Sequence, residues 1–399
     1  MRHVRRVTRL LVVAAAVVAV VAPPVQAKVG DLYALRYGAQ SNLLMPYDPV
    51  RLAVSGPGIR LGRFGHAWSV SADRSQMVVA AGVRRPGEAT AVRLVDLRVG
   101  RVEGTYVLAD EFRRVSATAW VRGRVLVVVA GERSTTVYSF DPHRRVPVGK
   151  VDLPGKLVGG ERTASALLLL LAPAEGIGAA TVAVIDGVAR ARSVVVDRIR
   201  VGTAKAAAGS GPGMTMRRPG IAISPSGERL YLFGAGEPTA IVNLNTRTVQ
   251  YVPLRQTSAL TKESAGAVRA AAALPDGRVV VWGHNYGSSK PVGVTLFDPR
   301  NSSTRLLSPA ASWVQVEAGL IFTRGRGGVG LRILRPSGGS VDLFRTGSPA
   351  AVRVVGPHAL VTFFGSGRKA AVVELSTHRI VGHTVPAHLL TGTGQAIIG

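Results

Sequence analysis

Apolar residues in this chain come in short bursts rich in valine, leucine and alanine, fenced by glycine, proline, aspartate and serine. The densest bursts are Met77 to Ala81, Val125 to Ala130, Ala166 to Leu171, Leu230 to Phe233, Val279 to Trp282, Leu320 to Thr323 and Leu360 to Phe364. Each is followed by a second apolar stretch that ends in an Asp-like residue and a turn former or leucine. These endings, with one earlier copy, are Tyr47-Asp48-Pro49, Val95-Asp96-Leu97, Phe140-Asp141-Pro142, Ile185-Asp186-Gly187, Val242-Asn243-Leu244, Phe297-Asp298-Pro299, Leu334-Arg335-Pro336 and Val373-Glu374-Leu375. They recur 37 to 57 residues apart. Turn signals such as Ser224-Pro225-Ser226-Gly227 and Leu274-Pro275-Asp276-Gly277 introduce several of the dense bursts. A further strand precedes those turns, as in Ala67 to Val70, Ile221 to Ile223 or Val314 to Val316. A last one follows each ending, as in Val102 to Leu108, Val194 to Val196, Val249 to Leu254 or Arg379 to Val385. No helical period is sustained anywhere, and short valine-rich runs bounded by turn residues read as strands.

Each unit therefore predicts four strands, a to d from inside to outside. Such a sheet cannot bury both faces alone, but packed between neighbours in a ring it can. The fold class expected is all-β, a β-propeller of four-stranded blades forming a single domain over residues 28–399. Eight c strands are counted, hence eight blades. Seven stays open, because Leu334-Arg335-Pro336 lacks the acid of the other copies. Residues 388–399 read as a and b strands with nothing after them, while Leu32 to Tyr37, Leu43 to Tyr47 and Ile59 to Leu61 lack a clear a strand. The N- and C-terminal strands are thus expected to share a blade and close the ring, which removes an exposed sheet edge.

The extreme N-terminus follows another grammar. Arg2, Arg5, Arg6 and Arg9 precede the unbroken apolar run Leu10 to Ala22, then Pro23-Pro24 and the small-residue stretch Val25-Gln26-Ala27. That order predicts a signal peptide over residues 1–27, cleaved after Ala27, and a secreted or extracytoplasmic protein. The run is 13 residues long, short of the roughly 20 that span a bilayer. An uncleaved N-terminal anchor is the reading kept beside it.

Composition adds two points. The chain has no cysteine, and a domain of this size can bury enough apolar surface to do without disulfides. The net charge is +27, and arginine supplies 43 of the 50 basic residues. One reading is an anionic partner. The other is the arginine skew of GC-rich coding. The basic residues are spread along the chain and aromatics are only 5%, so nucleic acid is not the expected partner, whereas attraction to anionic surfaces remains open.

The segments SPSGERLYLFG (Ser224 to Gly234) and LPDGRVVVWG (Leu274 to Gly283) resemble the units of YVTN-type and WD-repeat-like propellers, in which a Ser-Pro-Asp-Gly turn leads into a strand. The whole mature chain follows that pattern, and its arginine-rich composition resembles exported bacterial propeller proteins. The resemblance implies the fold and is silent on the ligand. The Gly-His and Trp-Asp marks of true WD repeats are absent, so their partners are not carried over.

Chemistry-bearing motifs are scarce. G-x-S-x-G, H-E-x-x-H, D-x-D-x-D-G and G-x-x-x-x-G-K are all missing, and no cofactor, metal site or catalytic residue is expected. His358, His378, His383 and His388 cluster late, but five-residue intervals alternate faces along a strand and the segment crosses a turn, so they read as surface residues. The repeated Asp at the c-strand ends reads as a turn former that caps backbone amides. Trp68, Trp120, Trp282 and Trp313 read as packing between blades.

One pattern points to a surface. In a propeller the b–c and d–a connections emerge on one face, where rigid strands hold variable loops. Four consecutive b–c loops carry Glu88, Glu132, Glu175 and Glu237, four of eleven glutamates. The next three carry His284, then Arg324 and Arg326, then Arg368 and Lys369. The two longest d–a connections, Gly202 to Gly220 and Arg255 to Ala267, open on the same face. The expected function is a monomeric, non-catalytic propeller that binds a protein or polar ligand at the cell envelope through these loops. The alternative is a propeller enzyme of the lactonase, lyase or glycan-hydrolase type, since the fold hosts both.

Overall fold

The computed structural model describes residues 11–13, 32–36, 41–47, 56–81, 89–109, 111, 113–205, 214–253, 267–285, 291–311, 313–324, 329–364, 369–381 and 385–386. Every regular element among them is a strand. In chain order, blade I comprises Leu11–Val13, Leu32–Arg36, Asn42–Tyr47 and Ile59–Gly62 (β1–β4). Blade II is Phe64–Val70, Gln76–Ala81, Thr90–Asp96 and Arg101–Ala109 (β5–β8), and blade III is Val115–Val121, Arg124–Ala130, Ser134–Asp141 and Val146–Pro154 (β9–β12). Blade IV is Lys156–Arg162, Leu167–Ala172, Ile177–Ile185 and Ala191–Lys205 (β13–β16), followed by the extra strand Met214–Arg218 (β17). Blade V is Gly220–Ile223, Arg229–Phe233, Thr239–Asn243 and Val249–Val252 (β18–β21). Blade VI is Ala267–Ala273, Val279–Asn285, Val294–Asp298 and Ser303–Ser308 (β22–β25). Blade VII is Val314–Glu317, Leu320–Arg324, Leu331–Leu334 and Ser340–Phe344 (β26–β29). Blade VIII is Ser348–Val355, His358–Phe364, Lys369–Glu374 and Arg379–Ile380 (β30–β33), and Val385–Pro386 (β34) also pairs with β32.

Each blade is an antiparallel meander in sequence order, and eight such units stand among the described residues. The endings read from the sequence fall at the ends of the c strands, with Asp48 and Pro49 of the first copy outside the described residues. Packing between blades explains the dense b strands. Along β14 the leucines alternate: Leu167, Leu169 and Leu171 pack with Leu126, Val128 and Val137 of blade III, while Leu168 and Leu170 pack with Leu230, Leu232 and Val242 of blade V. A strand buried on both faces must be apolar at every position, which is why this one reads as an unbroken run. The same kind of cluster joins I to II, II to III, V to VI, VI to VII and VII to VIII. Burying a leucine or valine in them is worth about 1.5–3 kcal/mol per side chain.

The turns at the c-strand ends are built as the repeated acid predicts. Asp96 Oδ1 accepts from the amides of Arg98 and Val99 at 2.8 and 3.0 Å. Asp141, Asp186, Asn243 and Asp298 accept from amides two residues ahead in the same way. Trp120 is buried and its Nε1 donates to Ser69 O of blade II at 3.2 Å.

Blade I differs from expectation. Its first strand is Leu11–Val13 of the expected leader, paired with β2 through Leu11↔Leu35, Val12↔Ala34 and Val13↔Tyr33. In the full-length chain a β-prone Leu-Val-Val segment thus covers the β2 edge, a position expected of C-terminal chain; unpaired sheet edges capture such segments. The C-terminal closing strands, 388–399, lie outside the described residues.

Candidate functional site

The b–c loops and d–a connections share one end of the blades. Of the residues expected on this face, Glu132, Glu175, Glu237 and His284 are described, on blades III to VI in turn, Arg324 closes β27 and Lys369 opens β32, and Glu88, Arg326 and Arg368 lie outside the described residues. Glu132 is exposed, and its neighbour Arg133 reaches across to the next blade, where Nη2 donates to Glu175 Oε1 at 2.7 Å. Both partners of that pair are largely in water, so it contributes little to stability and leaves both charges open to solvent.

Glu237 has a different setting. Its side chain is 10% exposed, and Arg217 Nη1 donates to Oε1 at 2.9 Å. The amide of Arg200 points at both carboxylate oxygens at 3.2 Å. Burial pushes the carboxyl above its ordinary range in spite of these donors. The residue anchors a hairpin: β16 runs on past its blade, bends at Gly202 and pairs with β17. Gly202 has φ +126°, and a Cβ there would sit 2.3 Å from Gly176 O, so the bend requires glycine. β17 then runs parallel to β22, with Arg217 beside Ala267 and Arg218 beside Val268. The hairpin thereby ties blade IV to blade VI, the neighbours of blade V on either side.

His284 is exposed, at the end of β23 and not in the loop beyond it. Its carbonyl accepts from Arg269 Nη1 at 2.9 Å. Arg269 is buried on the inner strand β22, also donates to Val268 O and Asn285 Oδ1, and leaves Nε without a partner. Burial pulls its pKa down to about 10. Farther round, Arg324 donates to Pro349 O at 3.0 Å and lies over the Trp313 ring, linking blade VII to blade VIII.

Sequence reasoning missed the charges on the inner strands. Glu161, near the end of β13, keeps some contact with solvent but is surrounded by protein. Burial pushes its carboxyl up to about 8, with the Arg162 charge offsetting part of that. Glu317 of β26 accepts from Arg353 Nη1 of β30 at 2.8 Å, and burial raises its carboxyl as well. The usable signal for Glu161 was a charged pair closing a strand, KLVGGER, most of whose other residues are apolar or small. Among the described residues no three His, Cys, Asp or Glu side chains gather as metal ligands would.

No family model matches the chain, and no curated protein matches its sequence. Solved structures do. Dihydro-heme d1 dehydrogenase NirN superposes with a TM-score of 0.57 at 12% identity, over 89% of this chain and 74% of that one. The Dos1 propeller gives 0.52 at 10% identity, over 82% and 83%. A prolyl endopeptidase gives 0.50 at 14% identity over 89% of this chain, which spans 48% of the endopeptidase. Likeness at such identities establishes the fold, a β-propeller, and nothing about chemistry.

Proposed function

We propose that the protein is an exported binding scaffold of the cell envelope that holds a polar partner on the face formed by its b–c loops and d–a connections. The observation that carries this reading is that charged groups of neighbouring blades are cross-linked there, Arg133 to Glu175 and Arg217 to Glu237. The buried Arg217–Glu237 contact holds its loop in place before a partner arrives, which lessens the entropy lost on binding. Glu132 and the Arg133–Glu175 pair offer exposed charge to steer the partner, and the β16–β17 hairpin forms a wall beside them. Export is proposed from residues 1–27, with Lys28 as the mature N-terminus.

The test is capture from an envelope extract with the mature chain, followed by binding measurements on Glu132→Lys with Glu175→Lys. The control is Glu103→Lys with Asp152→Lys, on the outer strands β8 and β12. The loop variant should lose about tenfold or more in affinity, chiefly in association rate. Equal losses in both variants would refute the assignment of the face. Glu161 favours a second reading, an enzyme, because a carboxyl that is neutral near pH 7 can serve as a general acid. Under that reading Glu161→Gln abolishes turnover of a lactone or glycan while partner capture survives.

A further inference from the structure

The opposite face, built from the a–b and c–d turns, carries a second arrangement of charge. The c–d turns of blades II to VII each present an exposed arginine: Arg98, Arg145, Arg190, Arg247, Arg300 and Arg335. The acids of the same turns sit lower. Asp96, Asp186 and Asp298 are half-buried and Asp141 is buried, each with a carboxylate oxygen turned to the turn's own amides. Arg98 and Arg300 reach acids, Asp73 and Asp298, yet both guanidinium groups stay largely in water. The c–d turns are therefore layered, with their anions turned to backbone caps and their cations outermost, while the a–b turns of the same face add the exposed acids Asp73, Glu228 and Asp276, of which Asp73 and Asp276 are paired with Arg98 and Arg278.

The backbone makes the arginines more telling. The c–d turns of blades II, III and V close by the same bond, from Gly100, Arg145 and Arg247 to the carbonyl four residues back, at 3.0, 2.7 and 2.8 Å. That position is left-handed in each, with φ of +73°, +62° and +61°. Blade II fills it with glycine, the residue it favours. Blades III and V fill it with arginine, and the a–b turns repeat the choice at Arg74 and Arg122, with φ of +56° and +50°. Of the eight non-glycine left-handed turn residues described on this face four are arginine, the others being Ala189, Ser302, Ala318 and His378, a larger share than the 43 arginines of the whole chain would give.

Short aliphatic side chains stand among these cations. Val99 and Val188 are exposed within c–d turns, Val146 directly after one, and Ile380 one residue farther along a d strand. We infer that this face docks the propeller on an anionic lipid bilayer, with arginines over the headgroups and the valines and isoleucine at the acyl boundary. Cations spaced round a rim, one to a blade, suit a broad sheet of charge, and aliphatic tips gain from a hydrocarbon boundary that a dissolved polyanion lacks. The inference is independent of the loop-face reading, since it concerns the other end of the blades; together they would leave the loop face turned away from the membrane.

The experiment is co-sedimentation of the mature chain with vesicles of phosphatidylcholine alone or with about one third phosphatidylglycerol. Binding should require the anionic lipid and fade at about 0.5 M salt, where screening is strong. Arg145→Gly with Arg247→Gly should weaken it roughly 25-fold, at about fivefold per arginine, while the protein melts no lower than the parent. Val99→Ser with Val188→Ser should weaken it further at unchanged charge. Arg133→Ala, on the loop face, should leave vesicle binding intact, so that failure of one assignment is distinguishable from failure of the other. No preference for anionic vesicles, or equal loss with Arg133→Ala, would overturn the inference. Equally tight binding to duplex DNA, with no effect of the valine changes, would replace the membrane by a soluble polyanion.

Discussion

Replacing Glu161 with glutamine should stabilise the protein in alkaline solution, and the size of the gain follows from where the carboxyl sits. Burial on β13 holds it at about 8 instead of 4.5, and Arg162, itself desolvated, offsets only part of the cost. Between those two pH values the folded protein keeps a proton that the unfolded chain has released. Stability therefore falls as pH rises from 4.5 to about 8 and is flat with respect to this group above that. At about 1.4 kcal/mol for each tenfold change in proton affinity, the whole interval amounts to about 5 kcal/mol, and the residual solvent contact of the side chain makes this an upper figure. Glutamine keeps the shape and has no proton to lose. Urea unfolding of both proteins, followed by tryptophan fluorescence, should agree within about 1 kcal/mol at pH 5 and favour the variant by about 2–5 kcal/mol at pH 9. Glu237 and Glu317, also raised, titrate in both proteins and cancel in the difference. Parallel loss of stability by the two proteins between pH 5 and pH 9 would refute the reasoning.

Two further changes probe the turns and the strand ends. Asp141 caps the amides of His143 and Arg144 and holds the half-buried Arg124 guanidinium, so Asp141→Ala should cost about 3 kcal/mol in urea unfolding. Asp298→Ala, at the same turn position but paired with the exposed Arg300, should cost only about 1 kcal/mol. Gly283 has φ +154°, and a Cβ there would lie 2.1 Å from Val268 O on the adjacent strand. Backbone cannot yield as a side chain would, so Gly283→Ala should lower stability by about 2 kcal/mol or more, measured as a drop in melting temperature absent from an alanine at a sterically open, φ-negative surface position.

Much of this architecture is legible in the chain. The ending that closes each c strand is a local device, an acid and the amides two and three residues ahead of it, and it reads without any neighbour in view. Leu167 to Leu171 declares a strand covered on both faces because strand side chains alternate with period two. The same reasoning placed Glu132, Glu175 and Glu237 at the b–c end of consecutive blades, since loop position follows strand order.

Partnership between blades is another matter. Glu237 looks like any acid at a loop tip, yet it is buried against Arg217, 20 residues upstream, and the amide of Arg200, 37 upstream. The charged pair closing KLVGGER marks Glu161 without saying that the molecule closes around it, and nothing near Leu11 says that the β2 edge lies within reach. The sequence alone determined most of the elements, their order and their turns, though not β1 or β17, because period-two alternation and turn capping act over a few residues. Only the tertiary structure decided which charges are exposed, paired or buried, because solvent access and ion pairing depend on what the neighbouring blade brings across the gap.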